Sequence, residues 1–146
     1  MKVIVQRVSE GSVLVNNTTI SKINNGYLLL VGFKKGDSLK EVEYVARKIA
    51  NLRIFSDDNG LLNLSIKQVN GEILSISQFT IYGSVNKSNR PSFTDAMSYS
   101  EAKELYLKFN EMLKNVYNIT VKEGIFGEDM LVKLTNDGPV TIIIEK

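Results

Sequence analysis

Four consecutive residues bring three hydrogen-bonding side chains together around one aromatic ring: Ser77-Gln78-Phe79-Thr80. The hydroxyls and the amide can donate and accept hydrogen bonds, and the ring can hold a base or another planar ligand. The four residues end an apolar stretch and lead into a long polar one, Gly83–Asp95. This pattern is typical of a pocket rim. The exposed polar end of a strand has the same pattern, and the residues alone leave both interpretations open.

The composition limits the chemistry that this segment can perform. The chain has no His and no Cys, which excludes Ser-His-Asp catalysis, thiol catalysis, disulfides and zinc–thiolate sites. Thr80 could act as a nucleophile only with a base, and no lysine or carboxylate lies close beside it in the sequence. We therefore expect no metal and no cofactor. The formal net charge of +2 neither demands nor forbids a nucleic-acid partner.

A second segment, Asn136–Thr141, contains one of the two prolines of the chain, in the pair Gly138-Pro139. Proline fixes φ and removes a backbone donor, glycine is free to adopt positive φ, and an X-Pro bond is the one peptide bond for which cis costs little. The pair can therefore hold backbone groups in an unusual, rigid conformation. Taken alone, the same residues are more often a plain turn between two strands.

Three cationic side chains are further candidates for binding. Lys87 and Arg90 lie in the polar Gly83–Asp95 stretch, where they could contact phosphates or simply be solvated. Arg7 lies among valines, where it is either an ordinary charge on a sheet edge or a donor that reaches inward to backbone carbonyls. The glutamates of the helical segments lie beside lysines and are typical of exposed helix faces.

The elements that position these groups are short strands and two helices. The first helix is predicted over Ser38–Asn51, because Ser38 and Glu41 have capping-box spacing and apolar residues recur on one face. A second helix, with the same capping spacing at Ser98 and Glu101, continues to Val116. Extended segments are predicted at Lys2–Val8, Ser12–Val15, Thr18–Ile23, Tyr27–Val31, Arg53–Phe55, Glu72–Phe79, Ile119–Val121, Leu131–Leu134 and Val140–Ile144.

This order of elements predicts an α+β fold, a mostly antiparallel sheet with about two packed helices, in one domain over residues 1–146. The strand Val140–Ile144 is apolar on both faces, so it needs cover from the chain's own helices or from a second copy of the chain. The apolar start of the chain is broken by Gln6 and Arg7, and no stretch is long enough to span a bilayer. We expect a cytoplasmic protein with no membrane contact.

Taken in order, these segments resemble the D-aminoacyl-tRNA deacylase family, also known as the D-Tyr-tRNA deacylase family. Each motif is weak alone, but the set extends over nearly the whole chain. The chain departs from the family pattern at Ile81, Ser88 and Glu128. The segments that carry the resemblance are Met1–Val8, Ser77–Thr80, Asn89–Phe93, Phe126-Gly127 and Asn136–Thr141.

The resemblance implies a homodimer with a barrel-like core that hydrolyses the ester between a D-amino acid and the terminal adenosine of tRNA. It also implies activity on mischarged glycyl-tRNA. Ser77, Gln78, Phe79 and Thr80 would line the catalytic site, and backbone amides near Phe79 and Thr80 would stabilise the oxyanion.

Gly138-Pro139 would be a cis pair that reaches into the partner's pocket and rejects L-amino acids by collision. Arg7 would orient the pair, and Phe126 would belong to the same substrate site. Lys87 and Arg90 would contact the tRNA acceptor end. The alternative in a different class is a non-catalytic, dimeric RNA- or nucleotide-binding module.

Overall fold

The computed structural model describes all residues, Met1–Lys146, as a barrel-like sheet with two α-helices packed on it. This confirms the predicted α+β class. The strands are β1 Lys2–Val15, β2 Thr18–Ile23, β3 Gly26–Gly32, β4 Arg53–Ser56, β5 Leu62–Ser65, β6 Glu72–Ser77, β7 Thr120–Glu123 and β8 Leu131–Glu145. The helices are α1 Leu39–Ala50 and α2 Tyr99–Asn115, and a 3₁₀ turn spans Phe79–Tyr82.

The sheet is organised around β1, which pairs antiparallel with β2, β3 and β8. Beyond β3 the order continues through β6 to β7, and these last two pairings are parallel. β8 pairs with β1 from Lys2↔Glu145 to Leu14↔Leu131, so it runs along nearly the whole of β1. The other edge of β8 pairs with no strand.

Helix α1 begins as the sequence predicts. The Ser38 amide donates to the Glu41 carboxylate, and the Lys40 amide donates to the Ser38 hydroxyl, which forms the reciprocal capping box. At the start of α2 the expected box is only partly formed. The Ser98 hydroxyl bonds to the Glu101 carboxylate, but its side chain accepts no backbone hydrogen bond. The second capping-box prediction is therefore wrong in that detail.

The core divides into two clusters on opposite faces of the sheet. The larger one joins the inner faces of α1 and α2 to alternate residues of β1 and β3, including Val3 and Tyr27. The smaller one contains Val8, Val13, Ile23, Leu28, Leu74 and Ile76. Because successive strand residues point to opposite faces, β3 is buried on both sides, as the unbroken apolar run Tyr27–Val31 predicts.

Several predicted boundaries are wrong in instructive ways. Lys2–Val8 and Ser12–Val15 are one continuous strand, because β8 pairs across the stretch between them. Leu131–Leu134 and Val140–Ile144 likewise form a single strand, interrupted only by a bulge. The strand Glu72–Phe79 ends at Ser77, since Phe79 already begins the 3₁₀ turn. The Asn16-Asn17 turn is confirmed, with positive φ at both residues.

None of the helices is both long and apolar enough to cross a membrane.

Candidate active site

A cavity of about 680 Å³ opens where β3 and β6 end and α2 begins. The carboxyl ends of these two parallel strands lie side by side, which brings the residues that follow β6 against the end of β3. The remaining wall comes from the start of α2 and from the loop between β7 and β8. The residues that line the cavity are Val31, Gly32, Phe33, Ile76, Ser77, Gln78, Phe79, Thr80, Met97, Tyr99, Ala102, Phe126, Gly127, Glu128, Asp129, Met130 and Val132.

The four residues Ser77–Thr80 all lie on this cavity, so the pocket-rim interpretation agrees with the structure. Their backbone is fixed to the neighbouring strand, because the Gln78 amide donates to the Val31 carbonyl at 2.7 Å. The contact is so close that a Cβ at Gly32 would lie 2.8 Å from the Gln78 carbonyl oxygen. The segment is therefore held by backbone contacts, which leaves its side chains free.

Phe79 is 56% exposed, which is unusual for a phenylalanine. One edge of its ring packs against Phe93 of the polar loop, with ring centroids 5.1 Å apart. The rest of the ring faces the cavity opening and offers an apolar surface to a planar ligand. The loop thus contributes to the site through an aromatic contact.

The Thr80 hydroxyl has one side-chain partner, the amide of Gln78, which donates to it. No lysine and no carboxylate forms a hydrogen bond with it, so the structure provides no base for a nucleophilic threonine. The backbone around it is of more chemical interest. Phe79 and Thr80 open the 3₁₀ turn, and the first amides of a helical turn have no acceptor within the turn.

The opposite wall of the cavity is aromatic. Phe126 packs edge-on against Tyr99 and is tilted against Tyr106, with ring centroids 5.1 and 5.5 Å apart. The Tyr106 hydroxyl donates to the Ser75 carbonyl at 2.8 Å, and burial raises the pKa of this phenol to about 12. Phe126 is therefore a half-buried part of a rigid wall, and its neighbour Gly127 has a φ of +84° against the Tyr99 ring.

The charged residues at the cavity are both acidic. Glu128 and Asp129 lie on its rim, and no lysine or arginine lines it. Such a rim favours a cationic group, such as a free amino group, and disfavours a phosphate at the same position. No three acidic residues come together in a way that could hold a metal ion.

Gly138, Pro139 and Arg7 form a separate arrangement outside this cavity. The Gly138-Pro139 bond is cis, and Gly138 has a φ of +130°. The two residues lie in the bulge of β8, both exposed. The Asn136 side chain closes the bulge by accepting from the Val140 amide at 2.9 Å.

Arg7 holds this bulge from inside the protein. It is 7% exposed, and it donates from Nε to the Asp137 carbonyl at 3.0 Å and from Nη1 to the Ile54 carbonyl at 2.8 Å. The Asp137 carboxylate lies 3.2 Å from the same Nε. Of the two interpretations of Arg7 offered by the sequence, the structure shows the inward one.

Lys87 and Arg90 are exposed in the loop before α2, and neither lines the cavity. The loop is folded back on itself, since Ser84 and Ser92 exchange two backbone hydrogen bonds of 2.8 Å. The two cations therefore belong to the same folded loop as Phe93 and do not line the pocket.

Comparison with known proteins decides the family. Residues 4–145 match the family model described as D-Tyr-tRNA(Tyr) deacylase. The chain belongs to this family. It is 52% identical over 145 residues to the D-aminoacyl-tRNA deacylase of Clostridium novyi, which covers 99% of this chain and 97% of that protein.

Two solved structures extend the comparison of this family member. One, described as c-Myc DNA Unwinding Element Binding Protein, has a TM-score of 0.95 and 42% identity, with 100% of this chain and 99% of that chain covered. The other, described as a probable eukaryotic D-amino acid tRNA deacylase, has a TM-score of 0.79 at 17% identity, covering 98% of this chain and 97% of that chain. This second likeness shows the shared fold.

Some contributors to the two arrangements were not singled out from the sequence. Tyr99 on the cavity wall and Ile54 and Asp137 as partners of Arg7 are the main ones. Tyr99 carries a detectable signal, since it is an aromatic residue directly after a helix N-cap. The contact between Arg7 and Ile54 joins strands far apart in the chain, and no local pattern indicates it.

Proposed function

We propose that this protein hydrolyses the ester bond of D-aminoacyl-tRNA, releasing a free D-amino acid and tRNA. The observation that carries the proposal is the cavity itself. In a member of this deacylase family, Ser77–Thr80 line a pocket with an exposed aromatic ring, an acidic rim and no cation. Such a pocket suits an adenosine that carries an esterified amino acid with a charged amino group.

The proposed chemistry uses the backbone rather than a nucleophilic side chain. Water attacks the ester carbonyl, and the amides of Phe79 and Thr80 stabilise the oxyanion that forms. The tetrahedral intermediate then collapses, the ester bond breaks, and the ribose oxygen leaves with a proton. A neighbouring ribose hydroxyl of the RNA activates the water. An aminoacyl ester is an activated acyl group, so this route needs neither histidine nor cysteine.

Selection of D-amino acids is assigned in this proposal to Gly138-Pro139. The pair would enter the pocket of a partner protomer, and its carbonyl groups would hold the substrate's amino group. An L side chain would collide with the pair, whereas a D side chain or the hydrogen of glycine would fit, so mischarged glycyl-tRNA is also a substrate. Support comes from the exposure of both residues and from Arg7, which fixes the preceding residue Asp137 from the core.

A homodimer is required by this arrangement, because Gly138-Pro139 lies outside the cavity of its own protomer. Two features of β8 favour self-association. Its outer edge pairs with no strand, and it exposes the large apolar residues Leu131 and Ile143, which are 59% and 63% exposed. Monomeric proteins usually protect a long edge strand of this kind.

The acceptor end of the tRNA is the part of the RNA proposed to enter the cavity. Lys87 and Arg90 would contact phosphates outside the pocket, since they lie in the loop that contributes Phe93 to the Phe79–Phe93 pair. This assignment also predicts a cytoplasmic location, with the pool of charged tRNA.

Release of the amino acid from D-aminoacyl-, glycyl- and L-aminoacyl-tRNA tests the function directly. We expect rapid hydrolysis of the first two and little of the third. Equal hydrolysis of D and L esters would contradict the selection mechanism while leaving the deacylase intact. Binding without any hydrolysis would favour the second candidate, a nucleic-acid-binding module, which agrees with the description of the 42% identical solved structure as a DNA-element-binding protein.

A complementation experiment tests the proposed shared site. Phe79→Ala alters the pocket and Gly138→Ala alters the bulge, so each homodimer lacks a complete site. Heterodimers of the two variants would contain one intact pocket facing one intact bulge. We expect mixing, after dissociation and reassociation, to restore activity to roughly a quarter of the wild-type level. No recovery, despite heterodimers detected by mass, would refute a site built from two protomers.

A further inference from the structure

A second concave surface lies at the far end of α2 from the cavity, between the outer faces of α1 and α2. It encloses about 550 Å³ and is lined by both helices together with the last residue of the chain. We call it the helix groove. The residues that line it are Lys40, Glu43, Tyr44, Arg47, Met112, Val116, Tyr117 and Lys146.

Three cationic groups gather around the ring of Tyr44, which lines the helix groove together with Arg47 and Lys146, and Lys48 lies beside it. The Arg47 guanidinium, the Lys48 ammonium and the Lys146 ammonium lie 5.8, 5.7 and 5.2 Å from the centroid of the Tyr44 ring. Each contact is a favourable cation–π interaction, but the three like charges repel one another across the same ring. A bound anion would remove that repulsion.

Six of the other fourteen basic residues of this chain lie beside a carboxylate, whereas the cations at the groove do not. Lys2, Arg7, Lys22, Lys108, Lys114 and Lys122 each lie within 4 Å of a carboxylate. Lys40, Arg47, Lys48 and Lys146 form no such pair. Glu43 is the one acidic side chain that lines the groove, and it accepts no hydrogen bond from any of them. The groove therefore keeps a local excess of positive charge in a chain whose net charge is only +2.

The groove also has a surface suited to sugars. Met112, Val116 and Tyr117 present apolar and aromatic area beside the cations, and Val116 is 64% exposed. A surface that alternates cations with apolar groups matches a backbone in which phosphates alternate with riboses. A free inorganic anion would use only the cations.

We propose that the helix groove binds the sugar–phosphate backbone of the tRNA substrate a few nucleotides before the esterified end. This inference rests on the proposed function. The groove and the cavity share α2, with Ala102 at the cavity and Met112 and Val116 at the groove. At ~1.5 Å per residue the two lie roughly 15–20 Å apart along the helix. With an advance of ~3.4 Å per nucleotide, the contacted phosphates lie about five nucleotides from the esterified end.

The test is a double variant, Arg47→Gln with Lys48→Gln, in the full-length protein. Both side chains are exposed, so the fold should be retained. Binding of fluorescent, uncharged tRNA is measured between 50 and 200 mM salt. We expect roughly tenfold weaker binding and a slope of log affinity against log salt that is smaller by about two. A matched control, Lys22→Gln with Lys67→Gln, removes the same charge from exposed positions elsewhere.

Hydrolysis gives an independent readout. For full-length D-aminoacyl-tRNA, KM should rise about tenfold in the groove variant, whereas turnover of a D-aminoacylated adenosine fragment should equal that of the wild type. A tRNA affinity and salt slope equal to those of the control would overturn the groove proposal. If the wild type binds tRNA through the groove but hydrolyses neither substrate, the proposed function fails and the groove proposal stands.

Discussion

The segment Ser77–Thr80 and the bulge at Gly138-Pro139 are held in place in opposite ways. In the first, the backbone is tied to β3 through the Gln78 amide, and the side chains remain exposed to the cavity. In the second, a buried side chain, Arg7, holds the carbonyl of Asp137, and the glycine and proline that follow are exposed. The proposed oxyanion amides and the Phe79 ring depend on the backbone contact with β3, whereas the proposed filter at Gly138-Pro139 depends on an anchor in the core.

This contrast predicts that changes at the bulge affect both stability and selectivity, whereas changes at the pocket affect catalysis alone.

The largest effect on stability is expected for Arg7→Ala. The change leaves the Ile54 and Asp137 carbonyls without their donor, and two hydrogen bonds to a charged group are worth about 3 kcal/mol together. Urea denaturation should show a loss of this size in the free energy of unfolding.

Arg7→Lys is the matched control, because it keeps the charge but lacks the guanidinium fork that reaches two carbonyls in different directions. We expect an intermediate loss of stability and a lower ratio of D to L hydrolysis. If Arg7→Ala unfolds at the wild-type urea concentration, the bulge is not anchored by this side chain.

Gly138→Ala should have the next largest effect, about 2 kcal/mol of stability. Its φ of +130° is strained for any residue with a side chain, and the new Cβ would lie 2.7 Å from Val140 Cγ2 and 3.1 Å from Arg7 Nη2. We also expect the preference for D over L esters to fall at least tenfold.

Gly60→Ala separates the cost of a positive φ from the cost of the close contacts that a Cβ would make at Gly138. Gly60 also has a positive φ, +77°, but nothing lies within 4 Å of its new Cβ. We expect about 1 kcal/mol of destabilisation and unchanged selectivity. Equal losses at the two glycines would mean that the packing around Gly138 is unimportant.

Phe79→Ala should leave stability within about 0.5 kcal/mol of the wild type, because the ring is already more than half exposed. The rate constant kcat/KM should nevertheless fall about tenfold, because the substitution removes the surface on which we propose that the adenosine stacks. Leu61→Ala, at a residue 65% exposed and remote from the cavity, serves as the control. A large fall in the melting temperature of the Phe79 variant would show that the pocket, like the bulge, contributes to stability.

Thr80→Val should have the smallest effect, a reduction of roughly fivefold in kcat/KM. The substitution removes one neutral hydrogen bond with Gln78, worth about 1 kcal/mol, and keeps the backbone amide. Complete loss of hydrolysis with unchanged tRNA binding would instead identify Thr80 as the nucleophile.

The sequence predicts the local parts of this molecule well. The capping box of α1, the Asn16-Asn17 turn and the apolar run of β3 depend on neighbouring residues, and all are present. The grouping of Ser77–Thr80 at the end of a strand likewise follows from their adjacency. Their position beside the start of α2 depends on the parallel pairing of β3 and β6, which no short pattern specifies.

The bulge shows why the remainder could not be predicted. Asn136–Thr141 contains every residue type expected of a turn that ends a strand, yet β8 continues on both sides of it. The reason is long-range: β1 pairs with β8 on both sides of the bulge, and Arg7 of β1 contacts Asp137 across 130 residues of sequence. The partly formed capping box at the start of α2 is a further case. The Ser98 hydroxyl bonds to the Glu101 carboxylate instead of accepting from a backbone amide.

The pairing of β1 with β8 has a consequence for how the protein is made. The ribosome releases β1 first and β8 last, so one edge of the longest central strand stays without its partner during nearly all of synthesis. At ~5–20 residues per second, this interval lasts on the order of ten seconds. β8 also carries Gly138-Pro139 and the unpaired outer edge. A nascent chain stalled before β8 is complete would therefore expose the unpaired edge of β1, and would be a substrate for chaperones rather than an enzyme.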